Sequence, residues 1–289
     1  MADDKLRIYD SPAFESPRLV VGFSGWMDGG DVSTGTVRIL AEKVEARRFA
    51  EIGPEGFYIY NFPGAMEVTA LFRPHCRIQG GLIRAFDMPE NVFYGSPERD
   101  VIFFLGKEPN LGWHDYADCL FSLCAQFGVK VVYFVGSVSG LVPHTRDPHL
   151  FCSVSDEAMK PVFEEYGIRF SNYEGPASVV TYLTAQAEER GVEMVNLVAT
   201  VPAYVQGGNP KCLDAVVRRV AGLLKLDLHL DDLRAAADDF ERRLTEVVNE
   251  EPELAESVTK LEQDYDNEVF NNEMTDLRQW LHQKGVRLD

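Results

Sequence analysis

The chain has few cysteines, a shortage of positive charge and no long apolar run. Five cysteines in 289 residues (Cys76, Cys119, Cys124, Cys152, Cys212) form an odd, sparse set with no C-x-x-C pair. That usage excludes a disulfide framework and a thiolate zinc site, and it reads as core thiols in a reducing cytoplasm. With 28 Lys+Arg against 46 Asp+Glu the net charge is −18. Nucleic-acid binding needs a basic stripe to displace phosphate counterions, so it is excluded as a partner class. Anionic membrane surfaces are excluded on the same ground. No stretch approaches the roughly 18 apolar residues of a membrane span. The opening "MADDKLRIYD" has no basic segment followed by an apolar one, as a secretory leader would. The expectation is a cytoplasmic protein.

Familiar cofactor and catalytic signatures are missing too. "GFSGWMDGGDV" (22–32) follows an apolar run but does not put its glycines in the G-x-G-x-x-G register, and no G-x-x-x-x-G-K-[ST] occurs. Asp28 and Asp31 would repel a phosphate at a helix start. Asp31 is better placed as an N-cap. "GSVSG" (136–140) centres on Val138 rather than serine, so it is not a nucleophile elbow. Ser139, His144 and Asp147 crowd one loop, whereas a triad depends on spatial adjacency of distant residues. His75 beside Cys76, and His144 five residues before His149, do not match metal-ligand spacing. No cofactor and no metal is expected.

What is present is a globular composition, 45% hydrophobic with three tryptophans. Apolar, β-branched runs recur at 18–25, 57–61, 81–86, 100–106, 129–138 and 194–202. Several are near-continuous, the mark of strands buried on both faces. Helical patterns alternate with them, in "DVSTGTVRILAEKV", "WHDYADCLFSLCAQFG", "ASVVTYLTAQAEERG" and "NPKCLDAVVRRVAGLLKL". The alternation predicts an α/β fold with a mostly parallel central sheet and helices on both faces. Residues 53–99 break the rhythm with short β-like pieces and no helix, and read as a meander extending or capping the sheet.

The character changes after about residue 226. Residues 227–289 hold 18 Asp+Glu against 7 Lys+Arg, in amphipathic helices expected to break near Pro252 and again around "DNEVFNN". This divides the chain into a core, 1–226, and an acidic helical C-terminal extension, 227–289. The charge by itself is what a solvated helix face carries.

Parallel strands bring their C-terminal loops to one edge, where ligands usually bind. Those loops are 25–31, 106–115, 137–149 and 202–210. They gather Trp26, Asp28, Asp31, Lys107, Glu108, Trp113, His144, Arg146 and Tyr204. The mixture suits a small-molecule cleft, with Asp28 or Glu108 as acid–base candidates and Arg146 orienting an anion. It suits a protein contact surface equally, since Trp, Tyr and Arg are favoured anchors.

The same loops carry a resemblance. "GFSGWMDGGDV", "FLGKEPNLGWHDYADCLFSLCAQFGVKVVYFVGSVSG" and "YEGPASVVTYLTAQAEERGVEMVNLVATVPAYV…NP" fall in the order of the landmarks of the proteasome assembly chaperone 2 family. The stretch 5–225 resembles that family, and the acidic extension is similar to that of its bacterial members. The resemblance implies a three-layer α/β/α sandwich of the phosphorylase/hydrolase-like type and self-association into a trimer or larger. It also implies a non-enzymatic role through protein contacts, with proteasome subunits as candidate partners. The ending "KGVRLD" lacks the hydrophobic–Tyr–x motif with which some archaeal relatives dock on core particles. A hydrolase- or phosphorylase-like enzyme using the cleft edge is the alternative.

Overall fold

The computed structural model describes residues 5–70, 72–164 and 168–283. Along the first half run β1 (Leu6–Ile8), β2 (Arg18–Ser24), α1 (Val32–Lys43), β3 (Arg47–Ile52), α2 (Met66–Ala70), β4 (His75–Gln79), β5 (Leu82–Asp87), β6 (Val92–Ser96), β7 (Val101–Lys107) and α3 (Trp113–Phe127). The second half adds β8 (Val131–Gly140), β9 (Leu150–Val154), α4 (Lys160–Glu164), β10 (Arg169–Phe170), α5 (Val179–Ala187), β11 (Glu193–Pro202), α6 (Pro210–Leu224), α7 (Asp231–Glu250) and α8 (Pro252–Gln283).

Nine strands form one sheet in the order β1-β3-β6-β7-β2-β8-β11-β9-β10. Its centre, β7-β2-β8-β11, is parallel throughout. The flanks join by antiparallel pairs, β6 on β7 and β9 on β11. Both faces are covered, and the side-chain period of two shows it. Leu19, Val21 and Phe23 of β2 pack with α3 and α5, while Val20 packs on the opposite face with α1 and α6. A run that must be apolar at every position is what hides the alternation in the sequence. Phe23, Phe93, Phe104 and Tyr116 fill the first face, with Phe93 and Phe104 centroids 4.4 Å apart. Each such buried ring contributes roughly 2–3 kcal/mol from area alone.

Residues 53–99 part from the expectation. Only β6 joins the large sheet. The segment expected as a strand at 57–61 is a turn whose side chains act as a plug. Phe57 and Tyr58 are buried, and the Tyr58 hydroxyl donates within a buried hub around Asn91. The helix α2 occupies Met66–Ala70 where none was expected. β4 and β5 pair only with each other, so they form a separate two-stranded hairpin and do not extend the sheet. Positive φ at Gly80 and Gly81 makes the reversal.

The C-terminal helices begin with α7, which packs on α6, and α8 returns along α7. The break at Pro252 is present, but α8 runs unbroken through "DNEVFNN". Three asparagines weaken a helix only slightly, and neither proline nor glycine interrupts this stretch. Residues 284–289, with the "KGVRLD" ending, lie outside the described residues. Four of the five cysteines are buried, whereas Cys76 is exposed on the hairpin, against the expectation of a core thiol. Among the described residues no helix is long and apolar enough to cross a membrane.

Candidate functional site

The four loops expected at one edge do meet at the C-terminal ends of β2, β7, β8 and β11. Their backbone comes together through glycine. A Cβ at Gly29 would approach Val201 at 3.1 Å. At Gly30, where φ is 65°, it would lie 2.8 Å from Asn209 Cβ. The first loop is therefore pressed onto the ends of β8 and β11, and the Ser137 hydroxyl donates to Gly29 O at 2.7 Å.

Capping differs from the sequence expectation. Asp31 sits at φ 55° and makes no side-chain cap. Asp28 takes that role, its oxygens accepting from the Thr34 N–H at 3.0 Å and the Thr34 hydroxyl at 2.8 Å. The extra 3-10 turn Gly29–Asp31 shifts the capping position three residues back. Burial raises the Asp28 carboxyl above its ordinary range, and the Thr34 bonds oppose this.

The other seven candidates separate into two groups. On one side, Glu108 accepts the Trp26 N–H at 3.1 Å and the Val179 N–H at 3.2 Å. It thereby ties the β2 loop to the start of α5. Both of its oxygens are engaged by backbone, as a structural acceptor's would be. Lys107 serves through its backbone, its N–H donating to Asn91 Oδ1 at 3.2 Å and its carbonyl accepting from Tyr58. Trp113 donates Nε1–H to Pro109 O at 2.9 Å, with its ring 6.0 Å from Tyr182. The Trp26 side chain is 62% exposed, and Leu111 and Leu141 stand exposed at the neighbouring strand ends.

On the other side, His144, Arg146 and Tyr204 lie beneath α7 and α8. The Tyr204 hydroxyl accepts from the His144 backbone N–H and faces Nδ1, both at 2.8 Å. His144 Nε2 is 3.0 Å from the Thr245 hydroxyl, which itself donates to Glu241 O at 2.8 Å. The directions close only one way: Tyr204 donates to Nδ1, and Nε2–H donates to Thr245. A neutral imidazole is built in, and burial lowers the His144 pKa accordingly.

Arg146 forms a two-pronged pair with Asp266 at 2.8 Å on each prong, with Glu262 at 3.6 Å. The guanidinium is held further above its already high range, first by Asp266. His149 stacks on Tyr265, centroids 4.4 Å apart, and Arg169 pairs with Glu268. The cavity left below, lined by His144, Arg146, Asn209 and Lys211 among others, is about 10 Å³. That holds a single water at most.

Sequence reasoning missed the helix residues that close this half, Glu241, Thr245, Glu262, Tyr265, Asp266 and Glu268. Glu262 and Asp266 stand four apart, a readable face, but nothing in the sequence addressed it to Arg146. It also missed Asn91, 1% exposed, whose Oδ1 takes bonds from Tyr58, Tyr116 and Lys107. Ligand atoms of His114, Asp115 and Asp118 lie within 4.8 Å of one another. Both carboxylates already face cations, Lys5 and Arg190, which weakens the case for a metal there.

The sequence model of the PAC2 family matches residues 22–248, a span that takes in all four edge loops. The chain belongs to the PAC2 family. The proteasome-assembly chaperone homologue Rv2125 of Mycobacterium tuberculosis is 31% identical, with 83% of this chain and 99% of that chain covered and a TM-score of 0.72. A PAC2 family protein from Streptomyces avermitilis is 26% identical over 84% of this chain and 100% of that chain, with a TM-score of 0.70. Pyrococcus furiosus PbaB, an archaeal proteasome activator, shares the fold at 18% identity and a TM-score of 0.61, covering 84% and 97%. Comparison with curated proteins gave no match. Matches to PAC2 proteins that span nearly all of each relative place the mixed nine-stranded sheet and its flanking helices within the family's fold.

Proposed function

We propose that this chain is a non-enzymatic, self-associating protein of the assembly-chaperone type, which acts in the cytoplasm through protein contacts. The observation that carries the reading is the β4–β5 hairpin. Ile78, Leu82, Ile83 and Phe86 on it are each more than half exposed, and a lone two-stranded hairpin is marginal in water. An apolar arm of this kind is stabilised by cover, and a second copy of the chain can supply it. Arg73, Arg77 and Arg84 make the arm locally basic on a chain of net −18, which favours docking on acidic surface. In this reading the core, 1–226, carries the arm and the exposed Trp26 edge, and the extension, 227–289, adds acidic contact surface. The descriptions of Rv2125 and PbaB make proteasome subunits the first partners to test.

Light scattering on the full chain should give a trimer or larger. The double variant Ile83→Glu/Phe86→Glu should be a folded monomer by the same measurement and by circular dichroism. An unchanged oligomer in that variant would defeat the arm's role. For the chaperone reading, a tagged chain should co-purify a stoichiometric partner under mild lysis, and recovery of itself alone would count against it.

A further inference from the structure

The contact between α8 and the sheet edge is rich in ion pairs. Val258 is buried, but no described residue of α8 beyond it is. From there the helix rests on half-buried Leu261, Tyr265 and Val269 and is flanked by charge. Asp266 and Glu262 meet Arg146, and Glu268 meets Arg169 and lies 3.5 Å from His149 Nε2. Tyr265 lies on the His149 ring. One turn away on α7, Glu241 takes Lys211. The edge thus collects three cations and two histidines, on a chain with a large acidic excess, and every one of them faces an acidic helix. Exposed ion pairs of this kind hold weakly and are screened by salt, so a competing segment faces a low barrier.

We propose that this cationic edge, formed by Arg146 and Arg169 beside His149, is a recognition surface for an acidic helical segment of a partner protein, and that α8 occupies it in cis. The pattern it accepts is on the page: carboxylates four residues apart, as at Glu262 and Asp266, with an aromatic ring between them to stack on His149. Arginine forks favour such paired carboxylates over single ones. Release of α8 uncovers the edge, so occupancy by the chain itself sets how readily a partner binds. The inference rests on the contact-surface reading above but names a different surface from the arm.

The test uses the full chain and a fluorescein-labelled peptide, AESVTKLEQDYDNEVFN, identical to residues 255–271. The variant Glu262→Gln/Asp266→Asn/Glu268→Gln loosens the cis helix while keeping its shape. By fluorescence anisotropy it should bind the peptide at least about tenfold more tightly than the unaltered chain. Adding Arg146→Ala and Arg169→Ala should abolish that binding, and a scrambled peptide of equal charge should bind at least about tenfold more weakly. Equal binding by the loosened variant and the unaltered chain overturns the proposal. So does binding that survives loss of both arginines, or a scrambled peptide that binds as well. If the triple variant fails to fold by circular dichroism, Asp266→Asn alone must show the same order of affinities. Peptide binding with no co-purified partner would defeat the chaperone reading and leave this one standing; the reverse result would do the opposite.

Discussion

The two halves of the loop edge are built from the same kind of strand end and finished by different physics. On the Trp26 side the loops are tied by backbone N–H groups of Trp26 and Val179 donating to one carboxylate, and the surface is left open. On the His144 side they are overlaid by two long helices, held by one neutral histidine chain and a row of ion pairs. The first arrangement is part of the fold and cannot open without unfolding something. In the second, α8 beyond Val258 meets side chains of the edge and takes no part in the sheet's own backbone pairing.

The largest effects are expected where the comparison is most structural. Glu108→Ala leaves the Trp26 and Val179 amides without their acceptor and should lower unfolding free energy by about 1–3 kcal/mol. Asp28→Ala removes the cap on α1 and should cost about 1–2 kcal/mol in the same urea titration. If both changes were neutral, the open half would not be the rigid one.

Acid should act on the other half. Burial lowers the pKa of His144 and, together with Arg169, that of His149, so the unfolded chain binds more protons as pH falls. Lys211 at His144 and Arg169 at His149 reinforce the shift, and Glu241 and Glu262 at His144 and Glu268 at His149 oppose it without reversing it. The stabilisation from neutral burial is complete above the unfolded value of about 6.5 and is lost as pH drops through and below it. Urea midpoints from pH 7.5 down to 5.5 should fall, and the fall should shrink in His144→Gln/His149→Gln. An equal slope in that variant would place the titration elsewhere.

The smallest global effect, under about 1 kcal/mol, is expected for Arg146→Ala. Its local effect should be plain: faster amide exchange over residues 258–271 of α8, with α5 unchanged. Salt at about 1 M should reproduce it in the unaltered chain, because exposed pairs are screened at that strength. Exchange that accelerates equally in both halves would erase the distinction between them.

Much of the open half could be read in advance because parallel pairing dictates which loops share an edge, whatever their residues. The cap was assigned to Asp31 rather than Asp28 because a 3-10 turn containing a left-handed Gly30 looks, in sequence, like an ordinary helix entry. Residues 53–99 read as a meander extending or capping the sheet because runs such as "GLIRAF" have the composition of half-buried strands. Nothing local to them reports that both faces stay outside. The closing of the second half was illegible for a different reason. Arg146 and Asp266 are 120 residues apart, and a solvated acidic face and a docked one have the same spacing. The expectation of a break around "DNEVFNN" rested on its polar residues, whereas no proline or glycine lies between Pro252 and Gln283 and the helix runs through.

The ends of the nine-stranded sheet bear on how copies of this chain can meet. β1 is three residues long and β10 only two, so each edge offers few unpaired backbone groups to a neighbouring chain. Growth by adding strand to strand, the route to fibres, finds almost no template there. Contacts through the ends of this sheet must instead be written in side chains, and side-chain surfaces can close into a counted ring where an open backbone edge would keep extending.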